Sequence, residues 1–458
     1  MVPTRPAPLS DNRRGASPAA KPPLNGTPGK GIPKPTHSLL LLACLCCVAS
    51  GQAPGGAAPL TLGDCIRLAE QAPSAVLLAA QEREIASRGI TQARAGFLPQ
   101  TRLSNGFIYN SPLLDNRQTF SFLPLNALRE YSSLVTIGQE FDTSGRLRAE
   151  LARARSAEDA AVISAAIARR DLRRAVAAAY YRALLARRAA AILAEALEES
   201  RSFEKRTRFL FAAGEAARAD VVKAAAQAAL LEQSFNAARL DARLAAQELA
   251  SFWTAEPSAD IALADALEEP PPPPQAPAEG APYMRRLEFR LLDAQRRGFE
   301  ADFRQARAAL LPQLGFQFQY GIDSTAIRIR DRGYAAYFNL NIPIFDWNRA
   351  RSAMAQARLR ARQTETTRAI SLRLLSRDYQ NALARVNELY RQIQLTREQA
   401  RLAEEDLRLS RLRYEGGEGL ALDVVTAQNQ LAQARISYYA SLANYLAARA
   451  DLEVAAGQ

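Results

Sequence analysis

Apolar and polar positions follow two different periods along this chain, and the two periods occupy different stretches. In residues 314–322, Leu314, Phe316, Phe318, Tyr320 and Ile322 alternate with Gly315, Gln317, Gln319 and Gly321. Tyr334, Ala336, Phe338, Leu340, Ile342 and Ile344 repeat that period of two. Weaker copies run through Leu103, Phe107 and Tyr109, and through Val135, Ile137 and Phe141. Successive strand side chains point to opposite faces, so each segment predicts a strand with one apolar side. Elsewhere the period is helical. Leu372, Leu375, Tyr379, Ala382, Val386, Leu389, Ile393, Thr396, Ala400, Ala403, Leu407, Ser410 and Tyr414 keep a strict 3-4 spacing. Leu172, Val176, Ala179, Ala183, Ala186, Ala190, Leu193 and Leu197 do likewise. Such spacing predicts coiled-coil packing at close approach. A helix of about 70 residues would extend roughly 105 Å, beyond any compact domain.

The pattern is written twice. Residues 205–252 and 408–455 align without a gap: Gly214 falls on Gly417, and Asp220-Val221-Val222 on Asp423-Val424-Val425. Phe141-Asp142 recurs as Phe345-Asp346, and Leu98-Pro99-Gln100 as Leu311-Pro312-Gln313. Each half is expected to hold an amphipathic helix (62–97, then 284–310), two strands, a helical stretch of about 70 residues, a glycine-containing break and a further long helix. The expected divisions are a first repeat over 51–256, a proline-rich linker over 257–282 containing Pro270 to Pro274, and a second repeat over 283–458.

Strands of about 9–11 alternating residues suit a barrel with a lipid face and a wet lumen. A soluble sheet with one face on a core has the same pattern, but no other segment supplies a partner layer. Phe316, Phe318, Tyr320, Phe338, Leu340 and Ile342 are therefore expected to face lipid. Four strands per chain fall short of the about eight that a barrel needs. A dimer would supply eight and a trimer twelve.

Composition narrows the function. Hydrophobic residues make up 48% and aromatics only 7%, with alanine-rich runs among Arg, Glu and Leu, which favours long helices. The net charge is +12, yet the arginines alternate with acids along helix faces instead of forming a basic patch interleaved with aromatics, so nucleic-acid binding is not expected. Residues 1–37 are basic and rich in Pro and Gly, and Leu39 to Ala49 is an apolar run too short to span a bilayer. This reads as a signal peptide cut near Ser50. Its long polar region suggests a true start downstream of Met1. A lipobox-like Leu41-Leu42-Ala43-Cys44, with lipid on Cys44, is the alternative. Export removes the single histidine, His37, and leaves Cys65 as the one cysteine. No catalytic set, metal cluster, phosphate loop or cofactor site is expected.

The ordered set of motifs resembles the TolC-type outer-membrane efflux family over essentially all of residues 60–456. It is carried by Leu62 to Ala69 with Pro73, Phe97-Leu98-Pro99, Leu310-Leu311-Pro312, Pro343-Ile344-Phe345-Asp346, and Arg411 through Asp423-Val424-Val425. The resemblance implies a mainly α chain with a transmembrane β-barrel. A homotrimer would close a twelve-stranded barrel in the outer membrane of a Gram-negative bacterium and a twelve-helix tunnel through the periplasm, with an equatorial belt near the linker. It implies a passive gated exit duct of a tripartite efflux or type I secretion system, docked to a periplasmic adaptor and an inner-membrane pump of RND or ABC type. Gly214 and Gly417 would mark the periplasmic hairpin tips where the adaptor docks. The family gate uses an Asp, a Tyr and an Arg at the tips. Asp220 and Tyr414 match, with Asp423 the second-repeat copy of Asp220. Gly419 stands at the Arg position and leaves Arg218 or Arg413 as stand-ins. Both Asp220 and Asp423 also suit helix N-capping, a compatible role. A freestanding diffusion porin needs no such helices, and a soluble coiled-coil scaffold leaves the strands unexplained.

Overall fold

The computed structural model describes residues 59–113, 116–121, 128–256, 261–265, 267, 270–274 and 280–457. The signal-peptide and lipobox expectations fall outside these residues.

Among the described residues, short and long elements follow the chain in two parallel series. The first runs α1 (Leu62–Gln71), α2 (Ala75–Ala95), β1 (Gln100–Tyr109), β2 (Pro112–Leu113), β3 (Asn116–Ser121), β4 (Arg129–Phe141), α3 (Arg146–Ala212) and α4 (Arg218–Ala250). After a 3-10 turn at Pro282–Arg285, the second runs α5 (Leu287–Ala308), β5 (Gln313–Ser324), a 3-10 turn at Ile329–Asp331, β6 (Arg332–Asn341), α6 (Arg349–Glu415) and α7 (Ala421–Ala455). The first helix differs from the expectation of one continuous element over 62–97. Pro73 has no N–H to give the helix and holds Ala72 extended at φ −75°, ψ 159°, so the chain breaks and restarts after Ser74. The small β2–β3 hairpin was also not foreseen.

The repeated Phe-Asp pair starts the long helices. The Asp142 carboxylate accepts the N–H groups of Leu147 at 2.9 Å and Arg148 at 3.2 Å, and Asp346 accepts that of Ala350 at 2.8 Å. Each acid satisfies donors that a helix start leaves open. From there α3 and α6 continue for 67 residues each, about 100 Å at 1.5 Å per residue.

Two antiparallel hairpins result, α3 with α4 and α6 with α7, and α7 also packs along α3. The expected seam is the buried one: Tyr379, Val386, Ile393 and Leu407 are buried at steps of seven or its multiple, and Val176, Ala179, Ala183 and Leu197 match them on α3. A second seam, in another register, buries Ala350, Ala357 and Thr364 of α6, while α5 buries Ala294, Ala301 and Ala308. These small side chains let α5 lie close against α3 and α6. Two tyrosines tie the linker to the helices: Tyr180 Oη donates to Ala264 O at 2.8 Å and Tyr445 Oη to Pro271 O at 2.6 Å.

β1, β4, β5 and β6 form one antiparallel sheet in the order β1-β4-β5-β6, so the central β4–β5 pairing joins the two halves. No helix packs across either face of it among the described residues. Edges β1 and β6 have no further strand partner there.

Candidate functional site

The sheet is two-faced by register. Leu103 lies opposite Val135, Val135 opposite Tyr320, and Tyr320 opposite Tyr334. Ile137 lies opposite Phe318, Phe316 opposite Phe338, and Leu314 opposite Leu340. Directly opposed residues share a face, so Phe316, Phe318, Tyr320, Phe338 and Leu340 form one apolar surface with Leu103, Val135 and Ile137. Ile342 lies just past β6 and is exposed. The reverse face carries Arg102, Ser104, Thr136, Gln317, Gln319 and Asn339. Two polar exceptions on the apolar face, Asn105 and Ser133, pair with each other, Ser133 Oγ donating to Asn105 Oδ1 at 2.7 Å. The apolar face stays open: Phe338 is 72% and Tyr334 78% exposed. Aromatics mark its ends, Tyr109, Tyr131 and Tyr334 toward the loops and Phe141, Phe345 and Trp347 toward the helices.

At the far ends of the helices, both hairpin tips close by the same device. Gly214 and Gly417 take left-handed φ values of 81° and 76°. Gly214 N–H donates to Phe211 O and Glu215 N–H to Leu210 O; Gly417 N–H donates to Tyr414 O and Glu418 N–H to Arg413 O. This crossed pair of bonds ends a helix only when the residue between can enter the left-handed region, which glycine does without strain. Gly419 has a separate constraint. Its N–H also reaches Arg413 O, and a Cβ there would lie 2.8 Å from Tyr414 N. An arginine at 419 does not fit this turn.

The expected gate residues are close in sequence to the tips but are not all brought together. Asp220 and Asp423 occupy the third position of α4 and α7. Asp423 Oδ2 accepts Leu420 N–H at 3.4 Å, whereas Asp220 makes no side-chain bond among the described residues. Tyr414 packs on Phe203, ring centroids 5.2 Å apart, and its hydroxyl is buried with no partner. Neither Arg218 nor Arg413 meets a carboxylate within the described chain.

What does join the hairpins went unforeseen. Arg206 meets Glu415 at 2.6 Å, Arg411 meets Glu199 at 2.8 Å, and Arg435 meets Glu195 at 3.5 Å and Glu404 at 3.2 Å. The first two pairs flank a groove of about 480 Å³ between α3 and α6, lined in part by Phe203 and Tyr414. Higher up, Gln227 and Asn429 exchange both amide bonds, at 2.6 and 3.0 Å. Except for Arg435 and Glu404, which lie within the second hairpin, these partners are more than two hundred residues apart in sequence, and no local pattern announces them. Among the described residues no helix is long and apolar enough to cross a membrane, and no cluster of metal-ligating side chains occurs.

Comparison with known proteins agrees with this geometry. A membrane protein from Pseudomonas aeruginosa has the same fold, with a TM-score of 0.74, 21% identity, and coverage of 86% of this chain and 92% of that one. The outer membrane protein VceC of Vibrio cholerae gives 0.72 at 18% identity, covering 86% and 96%. The open state of the Neisseria gonorrhoeae MtrE outer membrane channel gives 0.71 at 21%, covering 86% and 88%. No curated protein sequence matches. The sequence profile of the family described as outer membrane efflux protein, a family of conduits and not of enzymes, matches residues 65–254 and 284–458. This chain belongs to the outer membrane efflux protein family.

Proposed function

We propose that three copies of this chain form the exit duct of a tripartite efflux or type I secretion system. The observation that carries the reading is the sheet: one face is apolar and exposed, the other polar, and among the described residues no helix covers either face and no strand pairs with either edge. Open edges pair with other strands, and three sheets of four close a barrel of twelve. The apolar face then meets lipid through Phe316, Phe318, Tyr320, Phe338, Leu340 and Ile342, and the polar face lines a water-filled lumen. Helices of 67 residues leave the sheet on one side only, which suits a tunnel across the periplasm. The duct is passive. A periplasmic adaptor docks at the tip turns around Gly214 and Gly417, and an inner-membrane pump supplies the energy. In the same reading residues 1–50 are an export signal, 51–256 and 283–458 are the two repeats, and 257–282 is their linker.

The gate lies at the tips. Asp220, Arg218 and Arg413, unpaired within the described chain, meet groups of a neighbouring copy, while Tyr414 packs across to Phe203 of the first hairpin and Asp423 caps α7 of the second. The bridges Arg206–Glu415 and Arg411–Glu199 hold the two hairpins of one chain together, in place of the arginine that Gly419 excludes. Exposed ion pairs are individually weak, typically below about 1 kcal/mol, so a docking partner can release them. The test is conductance in planar bilayers. Asp220→Lys raises ion leakage if Asp220 holds the tip shut; unchanged conductance would leave it a helix-start acid only.

A further inference from the structure

Charges at the loop end of the sheet are sorted by face. Arg129 begins β4 opposite Tyr109, and Arg332 begins β6 opposite Ile322, so both stand on the apolar face at its rim. The acids of the same end stand on the reverse face. Glu130 lies opposite Ile108 and accepts Asn110 Nδ2–H at 3.4 Å, and Asp323 lies opposite Ser132. The connection between β5 and β6 adds Ile327-Arg328-Ile329-Arg330. Its two isoleucines project freely, 74% and 76% exposed. Asp331, half-buried, accepts Ser324 Oγ–H at 3.3 Å, and Arg330 Nε approaches it only to 3.9 Å. Among the described residues Arg129, Arg328 and Arg332 form no ion pair.

Three arginines without carboxylates and a fourth, Arg330, held by one only at 3.9 Å, bordering an apolar surface and interspersed with exposed isoleucines, match a ligand that is both anionic and greasy. A guanidinium grips a phosphate through two parallel N–H bonds, and its stem can lie along apolar surface while the head stays at the interface. A free phosphate ion makes no use of the isoleucines, and a neutral lipid makes none of the arginines. We propose that Arg129, Arg328, Arg330 and Arg332 form a headgroup site for a phosphate-bearing anionic lipid of the outer leaflet, with Ile327 and Ile329 seated among its acyl chains. The proposal rests on the reading that the apolar face meets the bilayer.

The test uses the full-length protein in mild non-ionic detergent, stripped of lipid and titrated with bisphosphorylated lipid A or its dephosphorylated counterpart. Bound lipid is counted by native mass spectrometry. The bisphosphorylated form binds at least about tenfold more tightly, as charge-assisted bidentate bonds imply. The combined Arg129→Gln, Arg328→Gln, Arg330→Gln and Arg332→Gln variant loses that preference at unchanged oligomer mass. Ile327→Ser with Ile329→Ser weakens both lipids and keeps the preference. Equal binding of the two lipids, or a preference that survives the arginine variant, overturns the site. Full displacement by millimolar inorganic phosphate overturns the lipid as its occupant. A protein that stays in solution without detergent and binds neither lipid overturns the bilayer reading as well, which separates the two failures.

Discussion

Glu288 sits at the start of α5 between two arginines, 2.9 Å from Arg170 on α3 and 2.6 Å from Arg286. Burial opposes its ionisation, but the bonds from Arg170 and Arg286 outweigh that and bring its pKa down to about 2. A carboxyl held below its unfolded value contributes stability above that value and loses it as pH falls through the folded one. The stabilisation that Glu288 adds to the α3–α5 contact is thus fully present above about pH 4.5 and is lost as pH falls toward 2. Glu288→Gln should lower the melting temperature at pH 7 and flatten its decline on acidification; a decline as steep as in the wild type would contradict this role. Gly419 gives a second residue-level test. An added methyl meets the Tyr414 and Arg413 backbone at 2.8 and 3.0 Å, so Gly419→Ala should cost about 1–3 kcal/mol of local strain. Limited proteolysis at the second tip should then be faster than in wild type, with cleavage elsewhere unchanged.

At the scale of elements, strands and helices were legible in the sequence for the same reason: a burial face imposes a period. The alternation through Phe316, Phe318 and Tyr320 gave β5, and the register confirms that these residues share a face with Phe338 and Leu340. The 3-4 spacing through Tyr379, Val386 and Ile393 marked the buried seam of α6. Periodicity could not show the break at Pro73, because the apolar pattern continues across it while the backbone does not. It also missed the α5 seam of Ala294, Ala301 and Ala308, since alanine carries little hydrophobic signal. Ile393 has no exposed surface, so Ile393→Ala should cost about 2–5 kcal/mol, read from thermal or denaturant unfolding. On the sheet, Phe318→Arg should cost roughly 2–4 kcal/mol and sharply reduce outer-membrane assembly, as a charge set in lipid does. Gln319→Arg, one residue on and facing the other way, should assemble normally. Equal assembly of the two variants would mean that the faces are reversed.

At the scale of the molecule, the duplication organised almost everything else. Two copies of one helix-strand-strand-helix-helix series, fused through the β4–β5 pairing, produce a four-stranded sheet whose edges have no partner among the described residues. The tip glycines were visible because each repeat preserves one. The bonds that hold one hairpin to the other were not, because Arg206 and Glu415, like Gln227 and Asn429, occupy unlike positions in the two repeats. Symmetry in sequence therefore predicted the scaffold but not the lock built between its halves. Leu395, Leu402 and Leu409 form another heptad-spaced row on α6 that stays exposed in the single chain. A row of this kind is what an assembled helical wall would cover. The most direct test of the account is the mass of the intact protein released from mild detergent in native mass spectrometry. A complex of three chains is the predicted result; a single chain that persists across detergents would leave the sheet edges unpaired and contradict the duct.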